Sequence, residues 1–392
     1  MGGGLRRTRL IAVVGAAGVL LTACGSGTGS PTSVRAARQS PSPAPTAAPS
    51  ATPPSQGTLR ILTFRGYMEW GGTDPRLNWV SPFERESGCR IARQESVQTA
   101  EEMERHLREG TFDVVSAPPE VAGWLIEKER AKALDTSQVE GYDDLPKHLR
   151  HLKAATRGDK VYGVPFLWSA FELMGRGDRP TSWRQLFTGG RVALKDSPMS
   201  IAIGALAMRD ELGIADPFQL SERQLEQVVK AMRNDGQVYW KDTVDAIESF
   251  VAGGDKRAVL GQMFPYHREL LTKTGGSVRA AKRLPTTASA DMWMMTTSAT
   301  SPTCGYRWLS HMNSAKVQEQ AAAWTGMAPA NARACDGKAR RMCAIHPAGE
   351  ALRDVHFAVM PAKDCKAHDG KCADYEAWTR AWRDLVKPKD GS

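Results

Sequence analysis

Aromatic side chains and isolated carboxylates collect near the ends of segments that read as strands: Phe64, Tyr67 and Glu69, then Glu120, Trp168, Asp196, Phe264, and Asp291 beside Trp293. That mixture suits a cationic ligand. An ammonium gains roughly 0.5–2 kcal/mol over an aromatic face, and more from a desolvated carboxylate that it neutralises. Taken singly, Phe64, Trp168 and Phe264 fit a packed core as well as a ligand contact, and Asp196 fits a helix cap. Their joint occurrence at loop starts is the signal. Catalytic patterns are missing from the chain: it has no Gly-x-Ser-x-Gly elbow, Gly-x-x-x-x-Gly-Lys loop, His-Glu-x-x-His pair or dinucleotide glycine fingerprint. Isolated histidines such as His106, His148, His267 and His311 lack spaced partners. These observations point to a binding protein with no enzymatic centre, cofactor or metal.

The elements that must position such residues alternate. Leu59 to Phe64 reads as a strand. A helix follows with Ser81 as cap, Pro82 at its first position and Gly88 as its stop. Cys89 to Ala92 reads as a strand, Thr99-x-x-Glu102 caps a helix ending at Gly110, and Phe112 to Ser116 is an apolar strand. A second block places strands at Tyr162–Pro165, Arg191–Leu194 and Ala258–Gln262, and helices at Ile201–Leu212 and after Ser221. Trp293 to Thr297 reads as a strand returning to the first block. Such alternation predicts an α/β fold of two lobes with mostly parallel sheets, and ligands in such sheets lie beyond the carboxyl ends of the strands. A cleft between the lobes is the expected site, with closure on ligand.

The 392 residues exceed one ordinary domain, and 41% hydrophobic with 24% charged residues is a globular composition. A formal charge of +9 comes from scattered bases with no long run of like charge, which argues against a nucleic-acid partner. Arg6, Arg7 and Arg9 precede an apolar stretch from Leu10 to Leu21 that is too short to span a bilayer. The segment 1–23 therefore reads as a signal peptide. It ends in Leu21-Thr22-Ala23-Cys24, a bacterial lipobox pattern, so Cys24 is the expected lipidation site and membrane anchor. Residues 24–57, rich in Ser, Pro and Ala, form a tether that cannot bury enough surface to fold.

The remaining cysteines, Cys89, Cys304, Cys335, Cys343, Cys365 and Cys372, are six in number. In an exported protein they predict disulfides, of which Cys365–Cys372 is the simplest pair to assign, with the other pairings open. Cys365, His368 and Cys372, with Cys343 and His346 nearby, offer an alternative zinc reading that an oxidising compartment disfavours.

Several segments resemble, in family order, the polyamine-type solute-binding lipoproteins of ATP-binding-cassette importers. They are Phe64–Glu69, the run WVSPFERESGCRI from Trp79 to Ile91, Phe112–Ala117, Gly163-Val164-Pro165, Thr181-Ser182-Trp183, Asp196-Ser197-Pro198, Cys304 to Leu309, Ala328–Asn331 and Cys372 to Trp382. The resemblance spans residues 58 to about 385 and implies a two-lobed, type II periplasmic-binding-protein-like fold. Lobe 1 is expected at 58–164 plus 296–345, and lobe 2 at 165–295 plus 346–392. It further implies a monomer that captures spermidine, putrescine or a related small amine outside the membrane and passes it to permease subunits. Phe64 and Phe264 stand where tryptophans are usual, Tyr67 matches an aromatic, Glu120 stands where a tyrosine or nearby acid occurs, and Asp196 falls near an acidic loop. Asp291 matches an aspartate before the returning strand. Arg65 and Pro118-Pro119 depart from the pattern. Alternative readings are a binder of an anion or metal chelate, or a surface lipoprotein without a transported ligand.

Overall fold

A computed structural model describes residues 57–387, apart from 73, 255 and 256. The signal peptide, Cys24 and nearly all of the tether lie outside the described residues. The strands are β1 (Gly57–Phe64), β2 (Cys89–Val97), β3 (Val114–Ala117), β4 (Thr156–Arg157), β5 (Lys160–Val161), β6 (Gly163–Ala170), β7 (Glu172–Arg176), β8 (Val192–Lys195), β9 (Gln237–Trp240), β10 (Leu260–Met263), β11 (Val278–Ala280), β12 (Thr286–Met295), β13 (Ala328–Pro329) and β14 (Val355–Phe357). They form a larger sheet ordered β13-β6-β12-β3-β1-β2, with β14 also on β12, and a smaller one ordered β11-β7-β10-β8-β9. β4 and β5 make a separate two-stranded ribbon.

The first three strands arise as the alternation predicts. β1 pairs in parallel with β2 and β3, through helices α1 (Val80–Ser87) and α2 (Ala100–Glu109). Thr99 caps α2 in a complete capping box with Glu102, and Gly88 ends α1 in the left-handed region at φ 70°. The start of α1 differs from expectation. Ser81 lies inside the helix and its N–H donates to Asn78 Oδ1 at 3.1 Å, so the cap is supplied three residues earlier. The helix expected over Ile201–Leu212 breaks at Met208 into two pieces.

Both sheets are mixed, with parallel and antiparallel pairs. β6 leaves the larger sheet at its cleft end and β12 re-enters there, so β12 runs antiparallel to both β3 and β6. Strands β6 (Gly163–Ala170) and β12 (Thr286–Met295) thus belong to the larger sheet, and β7 to β11 make up the smaller one. The chain completes the ladder of β6 before it crosses to the smaller sheet and begins that of β12 only after it has crossed back. The larger lobe encloses one core cluster that includes Leu59, Ile61, Phe83, Val115, Trp293 and Trp308. The smaller sheet packs a second, around Leu194, Trp240 and Phe250, and the helix Tyr375–Val386 closes a third through Trp378 and Trp382.

All six cysteines of the folded body pair, as Cys89–Cys304, Cys335–Cys343 and Cys365–Cys372. The thiolates of the zinc reading are thus engaged in disulfides.

Candidate functional site

The larger sheet presents Tyr67, Glu120 and Asp291 together. Tyr67 follows β1, and its hydroxyl donates to Asp291 Oδ2 at 2.5 Å. Asp291 lies within β12, not before it, one residue ahead of the Met292 that pairs with Ala117 at the end of β3. That register sets it beside the loop leading into α3 (Pro119–Glu127). Pro118 is extended and Pro119 takes the first helical position, where its missing N–H costs nothing, so the proline pair starts the helix whose first turn carries Glu120.

Both residues are 7% exposed. Burial pushes Glu120 up to about 7; its own backbone N–H and Lys195 oppose the shift, and Asp291 adds to it. Burial pushes Asp291 up to about 6, against the Tyr67 hydrogen bond and the positive charge of Lys195. Desolvation thus outweighs the helix start and the hydroxyl donor. Two carboxyls held near neutral pH in one place are poised to ionise fully when a cation arrives.

The smaller sheet faces them with aromatics and one cation. Strands β8 and β9 are parallel with Lys195 directly opposite Trp240, and Phe264 follows β10, the neighbour of β8 on its other side. Trp240 donates from Nε1 to the Gln262 carbonyl at 3.0 Å, which fixes its plane. Phe264 stacks on Phe171 with centroids 4.8 Å apart and meets Trp240 edge-on at 5.5 Å. The Lys195 ammonium sits 4.8 Å from the Trp240 centroid and 5.9 Å from that of Phe264. Burial lowers its pKa, while Glu120, Asp291, Asp196 and Asp242 raise it. His267, behind this corner, is pushed down to about 3 by burial and Lys195 and stays neutral.

The other expected residues have different surroundings. Phe64 is partly buried and packs edge-on to Tyr67 at 5.8 Å, at the margin of the acidic wall. Trp293 is core: on the same side of β12 as Asp291 but two residues, about 7 Å, further along, it packs on Phe166 and Trp308. Trp168 lies opposite Ala290, on the other side of the sheet from Asp291, because a bulge at Phe166 shifts the register by one from the Ser289 it would otherwise face, and it packs on His346 and Phe357. Asp196 accepts from Trp382 Nε1 at 2.9 Å and approaches Lys241 Nζ at 3.9 Å, so the last helix takes it up. Glu69 hydrogen-bonds Trp324 at the rim. Arg65 is exposed.

Lys195, Trp240 and Phe171 escape a reading of the sequence. Lys195 immediately follows the strand expected at Arg191–Leu194, so its position was legible even though its side of the sheet was not. Trp240 was hidden because Gln237–Trp240 carries no alternation. A groove of about 1100 Å3 on the outer face of the larger lobe, lined by Trp79, Arg85, His311 and Arg333 among others, contains none of these residues. Among the described residues no group of three or more His, Cys, Asp or Glu is placed to hold a metal ion, and no helix is long and apolar enough to cross a membrane.

Residues 78–341 match the family model of the bacterial extracellular solute-binding proteins. The chain belongs to that family. Solved structures of the same fold include the spermidine/putrescine substrate-binding protein PotD from Streptococcus pneumoniae, with 17% identity, a TM-score of 0.62 and coverage of 84% of this chain and 97% of that one. A putative spermidine/putrescine transporter protein from Listeria monocytogenes aligns at 16% identity and TM-score 0.65 over 84% and 98% of the two chains. The PBP MotA from A. tumefaciens B6, in complex with glucopine, aligns at 15% and 0.60 over 84% and 100%. The architecture of this binding protein is thus the type II periplasmic-binding-protein-like fold, with β1, β3, β8, β9 and β10 ending at its two facing walls.

Proposed function

We propose that this binding protein captures a small aliphatic amine between its lobes and delivers it to the permease of an ATP-driven importer, held at the outer face of the membrane by a lipid on Cys24. Spermidine and putrescine are the reference ligands that the sequence resemblance implies, and they are named in two of the structures that share the fold. The carrying observation is the pair of buried carboxyls, Asp291 and Glu120, converging beside the Tyr67 hydroxyl opposite an aromatic corner. Two desolvated acids are costly without a cation, and a well-placed ammonium offsets that cost. No reaction is proposed for this site.

Calorimetric titration with spermidine, putrescine, other aliphatic amines and phosphate tests this reading. At least one amine is expected to bind near 1 μM, worth about 8 kcal/mol. Asp291→Asn is expected to weaken that binding about 100-fold, since a charge-assisted partner is lost while the Tyr67 contact survives. Unchanged affinity in a folded variant removes Asp291 from the site, and silence with every amine overturns the ligand class.

A further inference from the structure

We infer that Lys195 is a built-in cation that sets the ligand class of the cleft, so that the solute is an aliphatic amino carboxylate rather than a diamine. This rests on the amine reading and narrows it. The aromatic corner where a second ligand ammonium would sit already holds one: Lys195 Nζ lies within cation–π range of both Trp240 and Phe264. Strand register places it there, since Lys195 and Trp240 are direct partners across β8 and β9. Among the described residues the ammonium forms no ion pair and donates no hydrogen bond; its nearest partners are the two ring faces. Its three N–H donors therefore have no acceptor on the protein among the described residues.

The charges facing this ammonium decide the ligand. Glu120 and Asp291 act on it from the larger lobe, and Asp196 and Asp242 from its own. Asp196 is taken by Trp382, and Asp242 caps the helix Thr243–Val251 through two backbone N–H groups. His267 is neutral. The open part of the site holds two carboxyls on one wall and one ammonium on the other. A diamine would satisfy the acids at one end and bring a like charge against Lys195 at the other, leaving its donors empty. An amino carboxylate places its ammonium on Asp291 and Glu120 and its carboxylate on Lys195, which completes every charged group across the cleft.

The test titrates the full-length protein with ω-amino carboxylates and α,ω-diamines of two to six carbons, and repeats both series on Lys195→Gln and Lys195→Arg. The best amino carboxylate is expected to bind at least 30-fold tighter than any diamine. Lys195→Gln should erase that preference by weakening the amino carboxylate at least 30-fold while sparing or improving the diamines, and Lys195→Arg should retain it. Thermal melts establish that the variants are folded. A diamine that binds wild type as tightly as the amino carboxylate, or a Lys195→Gln variant that weakens both series equally, overturns the inference and leaves the amine reading intact. Binding by neither series overturns the amine reading, and this one with it.

Discussion

The two walls of the cleft are built differently. The wall on the larger sheet is acidic and tightly held: Asp291 sits inside a long central strand, Glu120 and Tyr67 follow the next two strands on one side of it, β3 and β1, and the Cys89–Cys304 bridge ties β2 to the helix Pro302–Asn313. The wall on the smaller sheet is aromatic, carries a mobile type of side chain in Lys195, and has no disulfide within its sheet among the described residues. One wall supplies fixed charge at a cost in desolvation, and the other supplies polarisable faces and a cation that can reorient. On the proposed function, specificity for an amine is a property of the first wall, while discrimination among amines belongs to the second.

The largest expected effect tests whether the first wall is held independently. The Cys89–Cys304 bridge spans 215 residues, so replacing both cysteines by serine removes a long-loop constraint worth about 5 kcal/mol. Hydrogen exchange should show β1–β3 losing protection while β8–β10 keep theirs. Equal loss in both sheets would make the lobes one cooperative unit and dissolve the contrast.

The next effect is a gain. In the ligand-free protein Glu120 titrates near 7, above its ordinary value of about 4.5, so its ionisation destabilises the folded state as pH rises between those values. Glu120→Gln is therefore expected to stabilise the ligand-free protein by about 3 kcal/mol at pH 8 and negligibly at pH 4. Urea unfolding at both pH values measures it. A variant that is no more stable at pH 8 would mean that Glu120 is not desolvated, and the contrast between the two walls would lose its buried acid pair.

The smallest effect separates structural from ligand acids. Trp382→Phe removes the donor to Asp196 and is expected to cost about 1–2 kcal/mol of stability, with ligand affinity unchanged. A tenfold loss of affinity would return Asp196 to the binding wall.

The acidic wall was legible because its residues lie at the ends of strands that the chain announces plainly: an apolar run into Phe64, another into Ala117, and an aspartate amid the apolar stretch of β12. Trp168 misled because the bulge at Phe166, invisible in composition, turns it to the opposite side of the sheet from Asp291. Trp293, two positions from Asp291, is already core, packed on Phe166 and Trp308. The aromatic wall was only half legible. Phe264 was found from its place after a strand, whereas Trp240 and Lys195 become neighbours only when β8 and β9 pair in register.

By itself the sequence determined the α/β alternation, the caps of α2 and of the helix Glu222–Met232, the even cysteine count and the carboxylates at strand ends. These follow from local propensity and short-range hydrogen bonding, which the chain encodes within a few residues. Only the tertiary structure decided where the chain crosses between lobes, which cysteines pair over long separations, and that a lysine occupies the aromatic corner. Those features depend on strand register and on contacts between distant segments, and a one-residue change in register moves a side chain to the other face of its sheet.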